Sequence, residues 1–171
     1  MHPLHQFKYC PKCGSAHFEE NNFKSKKCMD CGFVYYFNSS ASTAAFITDS
    51  FDRLLVARRA KEPAKGTLDL PGGFIDLNET AEMAIMREVW EETGMELDDF
   101  KYVFSLPNIY VYSGFEVHTV DMFFTAQTNW SASDIYPADD VSELMFLEKE
   151  EINPEDFGLD SIRKAVERWL K

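Results

Sequence analysis

The stretch from Gly73 to Met95, GFIDLNETAEMAIMREVWEETGM, constrains this chain more than any other part of it. It opens with a glycine-containing loop and continues as a predicted helix over Thr80–Thr93. Thr80 suits the N-cap, Glu82 suits the positive first turn, and Gly94 suits the stop. At about 100° per residue, Glu88, Glu91 and Glu92 fall within an arc of about 100°. Ala81 and Ala84 lie among them and leave room for a ligand. Ile85, Val89, Met86, Trp90 and Met83 take most of the remaining surface, so the helix is expected to bury that apolar side. Glu88 and Glu92 are an i,i+4 like-charge pair, which a bare helix disfavours by a few tenths of a kcal/mol. A solvated acidic face with an Arg87–Glu91 pair is the simpler reading. Glu91 crowds the same face, and a bound cation would offset the repulsion, which points to a cation-binding face instead. Clustered carboxylate oxygens suit hard divalent ions, so Mg²⁺ or Mn²⁺ is the expected cation. Magnesium completes its shell with water and substrate phosphates, which points to phosphate-ester or phosphoanhydride chemistry.

Size and charge narrow the ligand. A chain of 171 residues holds one ordinary domain and a small appendage. The net charge of −12 argues against a surface for long nucleic acid, though not against a small nucleotide whose phosphates are neutralised by metal. Near Met1 there is no secretory apolar stretch, and no apolar run is long enough to span a bilayer. The expectation is therefore a cytoplasmic protein without a membrane partner, and a homodimer is compatible with it.

All four cysteines sit near the start, in Cys10-Pro-Lys-Cys13-Gly and Cys28-Met-Asp-Cys31-Gly. Two such knuckles can supply four thiolates to one tetrahedral Zn²⁺, and the pattern is similar to a zinc ribbon. Residues 1–37 carry Lys8, Lys12, Lys24, Lys26 and Lys27 against Glu19, Glu20 and Asp30, a local excess of +2 that would balance a tetrathiolate zinc centre. Gly14 and Gly32 permit a tight backbone after each pair. Two disulfides or free thiols are the alternatives, and the expected compartment disfavours disulfides. His17, His2 and His5 read as exposed loop residues. So small a module has little core, and zinc should largely determine its folding. Its boundary is expected at the polar connection Asn38–Ser42, giving a ribbon over 1–37 and a second domain over 41–171.

The second domain alternates strands with two helices. Thr43–Asp49, Arg53–Arg58, Thr67–Leu70, Lys101–Leu106, Tyr110–Tyr112, Val117–Gln127 and Leu144–Leu147 read as strands, and Ser161–Leu170 reads as a second helix. Mixed strands with two helices fit an α/β/α sandwich, an α+β arrangement with a mixed sheet.

The motif from Gly73 to Met95 resembles the signature of the Nudix hydrolases, G-x5-E-x7-R-E-U-x-E-E-x-G-U with U aliphatic. Gly73, Glu79, Arg87, Glu88, Val89, Glu91, Glu92, Gly94 and Met95 all match it. The resemblance implies the Nudix fold for roughly residues 41–171. It implies a metal-dependent pyrophosphohydrolase that cleaves a nucleoside diphosphate linked to another moiety. Glu88, Glu91 and Glu92 would ligate the catalytic Mg²⁺ or Mn²⁺, Arg87 would pair with and orient a carboxylate, and Glu79 and Gly73 would support the loop and helix. A carboxylate would accept a proton from the attacking water: Glu91, Glu92, or one of Asp139, Asp140 and Glu143 downstream.

A ribbon before such a domain resembles the NADH pyrophosphatases. Their Ser-Gln-Pro-Trp-Pro-Phe-Pro-x-Ser motif is met here by Ser105-Leu-Pro-Asn-Ile-Tyr-Val-Tyr-Ser113, which keeps Ser105, Pro107 and Ser113 without the Trp and Phe arrangement. Tyr110 and Tyr112 lie where dinucleoside-polyphosphate hydrolases place a base-stacking tyrosine, although alternating aromatics also suit an ordinary strand. The expected substrate is a small nucleotide derivative: ADP-ribose, a dinucleoside polyphosphate or an NADH-like molecule. A non-catalytic nucleotide-sensing or adaptor protein that uses the same pocket is the rival reading.

Overall fold

The computed structural model describes residues 1–171. The chain divides into two compact units, Met1–Ser39 and Ser40–Lys171.

The first unit is a three-stranded antiparallel sheet of β1 (Phe18–Asn22), β2 (Ser25–Cys28) and β3 (Val34–Tyr36) in that order. Its fully buried apolar residues are few: Cys10, Phe18 and Cys28 cluster together with Phe33 packed on them, and Leu4 is buried as well. The cross-strand pairs Glu19–Lys27 and Glu20–Lys26 set opposite charges side by side, which suits their register. His2 and His5 are half-buried and bond to backbone carbonyls rather than standing free, whereas His17 is exposed and pairs with Asp30 at 3.1 Å.

The second unit is an α/β/α sandwich. Its strands are β4 (Ser40–Thr48), β5 (Leu54–Arg59), β6 (Leu68–Asp69), β7 (Lys101–Tyr112), β8 (Phe115–Gln127) and β9 (Val141–Leu147), and its helices are α1 (Ala81–Thr93) and α2 (Asp160–Trp169). The sheet runs β6-β5-β4-β8-β7, with β9 paired to β5. It is mixed, because β4 and β8 are parallel while β7–β8 and β5–β9 are antiparallel. Alternation along β4 explains the layers. Ala44 and Phe46 join the core under α2, and Ala45 and Ile47 join the core under α1. A strand buried on both faces must be apolar throughout its centre, as Ala44–Ile47 is. β8 repeats the device with Phe123 on one side and Phe124 on the other. Phe46 stacks on Trp169 of α2 with ring centroids 5.7 Å apart. No helix is long and apolar enough to cross a membrane.

Three local features differ from the sequence reading. The expected linker Asn38–Ser42 is partly strand, since Ser40, Ala41 and Ser42 pair with Thr119, Val120 and Asp121. The two strands expected on either side of Pro107 are one continuous strand. Pro107 is tolerated there because β7 is an edge strand, where a missing N–H need not break a ladder. On α1 only part of the expected apolar side is buried: Ile85 and Val89 enter the core, but Met83, Met86 and Trp90 are exposed, and Ala84, Glu92 and Thr93 are buried in their place. The helix turns its acid-bearing arc inward, so Glu88 and Glu92 lie between Ala84 and Val89 instead of opposite the core.

Candidate active site

Helix α1 begins and ends as its termini dictate. Thr80 Oγ1 accepts the Met83 amide at 3.2 Å, and Gly94 (φ 75°) closes the last turn with its amide on the Trp90 carbonyl. The loop before it is fixed to β4: the Thr43 amide donates to the Gly73 carbonyl at 2.8 Å and the Ala45 amide to the Pro71 carbonyl at 2.9 Å. Together these hold the glycine loop against the acidic face of the helix.

Arg87 ties that face together. Its Nε and Nη2 donate to the two carboxylate oxygens of Glu79, both at 2.9 Å. Its Nη1 donates to Glu88 Oε1 at 2.8 Å and Glu91 Oε2 at 3.0 Å, and Nη2 also reaches the Phe74 carbonyl at 3.0 Å. One guanidinium thus spans three carboxylates and a loop carbonyl, a use that a lysine could not reproduce. The Arg87 hydrogen bonds hold the Glu79 carboxyl below its usual range, and Glu79 in turn holds the Arg87 guanidinium above its own.

The remaining acids are desolvated. The Glu88 side chain is 13% exposed, and burial pushes its pKa up despite Arg87. Glu92 is 8% exposed, and burial pushes its pKa well above the carboxylate range, with Asp69, Glu88 and Asp139 adding negative charge around it. Its hydrogen-bond donor is the neutral Gly72 amide at 3.0 Å. A buried carboxylate without a cation is costly, so this position favours either a proton or a metal ion. A Cβ on Gly73 would sit 2.6 Å from the Glu88 carboxyl, which would have to shift to admit it. Gly72 needs its positive φ of 147°, and a Cβ on it would collide with the Thr43 carbonyl.

These groups open onto a cleft of about 440 Å³. Glu88, Glu92, Gly73, Tyr110, Tyr112, Asp139 and Asp140, all singled out from sequence, line it. Glu91 and Glu143 do not. Glu91 is held back by Arg87, and Glu143 pairs with Arg58 at 2.8 Å away from the lining. Asp140 pairs closely with Lys61, whereas Asp139 stands 4.0 Å from that ammonium. The structure adds residues that sequence reasoning missed. Asp69, on the short strand β6, accepts from Arg59 and from the Leu70 amide, and burial raises its pKa. Asp121 accepts from Ser42, Thr119 and Ser161. The one cue was an acid among apolar strand residues in Leu68-Asp69-Leu70 and Val120-Asp121-Met122.

The four thiols of the first unit form a separate cluster in which all ligand atoms lie within 4.8 Å of one another. Cys10 and Cys31 Sγ are 3.8 Å apart, and Cys13 and Cys28 Sγ are 3.6 Å apart. A tetrahedron of Zn–S bonds of about 2.3 Å spaces its sulfurs about 3.8 Å apart, so the set fits one zinc ion. The two knuckles share one backbone plan, with Gly14 N–H on Cys10 O at 2.8 Å and Gly32 N–H on Cys28 O at 3.0 Å. Backbone amides of Cys31 and Asp30 lower the Cys28 thiol to about 6, whereas Cys13, favoured as thiolate by the Ser15 backbone but hydrogen-bonded to the other thiols, is pushed up to about 12.

Comparison with known proteins gives a consistent picture. The NUDIX domain description matches residues 39–170. The chain is similar to the NAD-capped RNA hydrolase NudC of Haemophilus influenzae, 31% identical over 107 residues, which is 62% of this chain and 40% of that protein. It is similar to NudC of Chromobacterium violaceum at 30% identity over 102 residues, 60% of this chain and 38% of that one. The chain thus spans about 40% of the length of these relatives. In fold it is similar to a NUDIX hydrolase from Nitrosomonas europaea, with a TM-score of 0.72, 23% identity and coverage of 95% of this chain and 90% of the other. It is also similar to the NUDIX domain of Shewanella oneidensis NrtR, solved with ADP ribose, with a TM-score of 0.63, 18% identity and coverage of 78% and 88%.

Proposed function

The chain belongs to the Nudix family, and from that premise we propose that it is a Mg²⁺- or Mn²⁺-dependent pyrophosphohydrolase acting on a small nucleoside diphosphate linked to a second moiety. The observation that carries this reading is Glu92, a carboxylate 8% exposed whose hydrogen-bond donor is a neutral amide. It lines the cleft beside Glu88, and no protein cation pairs with it, so the site is left to a proton or a metal ion. The donor set is all oxygen, as hard divalent ions require.

Glu88 and Glu92 would hold the metal from the cleft, with Glu91 joining once its side chain leaves Arg87. A bound Mg²⁺ would supply charge neutralisation at the scissile phosphoanhydride and a more acidic water. The chain's own residues do the positioning. Arg87 fixes the Glu88 and Glu91 carboxylates and anchors Glu79, and so acts through them rather than on substrate. The Gly72 amide orients Glu92. Asp139 is a downstream carboxylate that lines the cleft, 4.0 Å from the Lys61 ammonium, and it is the proposed acceptor of the proton from attacking water. Tyr110 and Tyr112 are proposed to face the nucleoside, and ADP-ribose, NADH and diadenosine polyphosphates are the proposed substrate set. Cys10, Cys13, Cys28 and Cys31 are proposed to hold one structural Zn²⁺.

The test is a panel of those substrates assayed with and without metal. Turnover is expected with Mg²⁺ or Mn²⁺ and should vanish on chelation, with Mg²⁺ alone restoring it while the ribbon keeps its zinc. Full activity in metal-free buffer would sink the mechanism. Binding of ADP-ribose without turnover under any metal would favour the sensor reading.

Gly73→Ala supplies a second test. The added Cβ needs the space of the Glu88 carboxyl, so the carboxylate must move off its Arg87-held position. Turnover is expected to fall at least about tenfold, because a displaced ligand loses the oriented charge that catalysis uses. Helix content should stay unchanged in circular dichroism. Activity equal to wild type would mean that the Glu88 position does not matter to the chemistry.

A further inference from the structure

Residues 135–140 strap the C-terminal end of α1 to the end of β5. On the α1 side the Ala138 amide donates to the Glu92 carbonyl at 3.1 Å, and Ile135 is buried in the core under α1. On the β5 side the Ala60 amide donates to the Asp140 carbonyl at 2.7 Å, and the Asp140 carboxylate pairs with Lys61. Asp139 sits between these anchors with a positive φ of 50°, in a turn closed by the Val141 amide on the Ala138 carbonyl at 3.1 Å. A side chain on such a backbone is held there at some cost, so its place depends on what fixes either flank. The turn presents Asp139 to the cleft, where its charge reaches Glu88 and Glu92.

One further contact completes the strap. The Tyr136 ring lies against Gly94, where an added Cβ would sit 2.8 Å from Tyr136 Cζ. Gly94 therefore does two things: its φ of 75° ends α1, and its bare Cα gives the ring a seat. Tyr136 is 62% exposed, does not line the cleft, and its hydroxyl makes no hydrogen bond within the chain. Its amide reaches the Thr93 carbonyl only at 3.4 Å, longer than an ordinary N–H···O bond, so the ring carries much of this attachment. Ile135 fixes the strap one residue earlier, and Tyr136 with the Ala138 amide must place the residues that follow.

We propose that Tyr136 is a positioning residue for Asp139: its ring, seated on Gly94, holds the Ala138 flank of the turn against α1 and so fixes the Asp139 carboxylate relative to Glu88 and Glu92. The same helix then carries the metal-directed acids and seats the strap that brings the proton acceptor to them. This rests on the reading of Asp139 as that acceptor. The contact is made by the ring, so a phenyl group serves as well as a phenol.

The experiment measures steady-state turnover, with Mg²⁺, of whichever of ADP-ribose, NADH and diadenosine polyphosphates wild type hydrolyses. Tyr136→Ala is expected to lower kcat about tenfold and to change KM less than about twofold, because a misplaced acceptor impairs the chemical step and not binding. Tyr136→Phe should keep the wild-type kcat. Asp139→Asn should lower kcat about a hundredfold. Adding Tyr136→Ala to Asp139→Asn should cost nothing further, since the group it acts through is gone. A second readout is independent of activity: amide exchange at Ala138 should quicken about tenfold in Tyr136→Ala while the α1 amides keep their protection. Unchanged kcat in Tyr136→Ala overturns the proposal, as does lost activity in Tyr136→Phe or a full tenfold loss on the Asp139→Asn background. Unchanged exchange at Ala138 with turnover still dependent on Asp139 removes the seat and leaves the acceptor standing. Wild-type turnover by Asp139→Asn overturns the acceptor reading and this role with it, even where exchange at Ala138 quickens. Absence of turnover by wild type overturns both.

Discussion

Glu92→Gln is expected to lower turnover at least about tenfold and to raise the melting temperature of the metal-free protein. The first effect follows from removing a metal-directed charge where electrostatic stabilisation of the transition state is needed. The second follows from burial. Folding raises the Glu92 pKa well above its unfolded value, so between the two values the native state binds more protons than the unfolded state. Stability then falls as pH rises through that window, because at higher pH the buried group must carry its charge. Glutamine keeps the shape and removes the charge. Its advantage should be absent below the ordinary glutamate pKa of about 4.3 and grow as pH rises above it. For a domain of this size about 1 kcal/mol corresponds to a shift of about 2–4 °C. Mg²⁺ should narrow the gap by stabilising wild type more than the variant. Glu91→Gln should also lower turnover about tenfold, yet with little gain in stability, since Glu91 is more exposed and already paired with Arg87. Glu82→Gln is the control: it lies on the same helix, exposed and outside the acidic arc. Damage from Glu82→Gln equal to that from Glu92→Gln would mean the face is wrongly phased. No effect from either Glu91→Gln or Glu92→Gln would make the acidic helix structural and favour a binding protein.

Cys10→Ser or Cys28→Ser is expected to take zinc from one ion per chain to near none and to unfold residues 1–39 selectively. The first unit has only Cys10, Phe18 and Cys28 with Phe33 as a packed cluster, and two of these are thiols in the metal-binding set. A core that small cannot offset the entropy of ordering the chain, so binding energy from zinc must do so. Amide exchange protection should vanish across β1–β3 while that of α1 persists, because the second unit has its own cores on both sides of its sheet. Zinc-free protein with a protected ribbon would refute the structural role of the metal.

Much of this was legible in the residues because it is local. The α1 termini depend on Thr80 and Gly94, whose capping behaviour is set by side chain and φ within a few positions. The cysteine knuckles are equally local, and the Gly73–Met95 spacing carried the family resemblance. Strand identities survived because alternation and apolar runs are read along the chain. What failed were inferences about faces. Met83, Met86 and Trp90 are as hydrophobic as a core stripe should be, and helical periodicity alone gave no reason to leave them exposed. The sheet decided that, since Ile85 and Val89 pack with Ala45 and Ile47 of β4 and Phe124 and Ala126 of β8, which turns Glu88 and Glu92 inward. Pro107 looked like a break because the sequence did not reveal that β7 would be an edge.

By itself, then, the amino-acid sequence determined the helix with its acid arc, the thiol quartet, the strand content and the Nudix assignment, all of which rest on spacings of a few residues. Only the tertiary structure decided which acids are desolvated, that Arg87 binds Glu79, Glu88 and Glu91 at once, that Gly73 must make room for the Glu88 carboxyl, and that Asn108, Asp69 and Asp121 share the cleft with them. The physical reason is that burial and pairing are properties of segments brought together from far apart. Glu92 is desolvated by its burial, takes its hydrogen bond from Gly72 and feels the charge of Asp69, all from other segments, and Asp121 gathers hydroxyls from β4, β8 and α2.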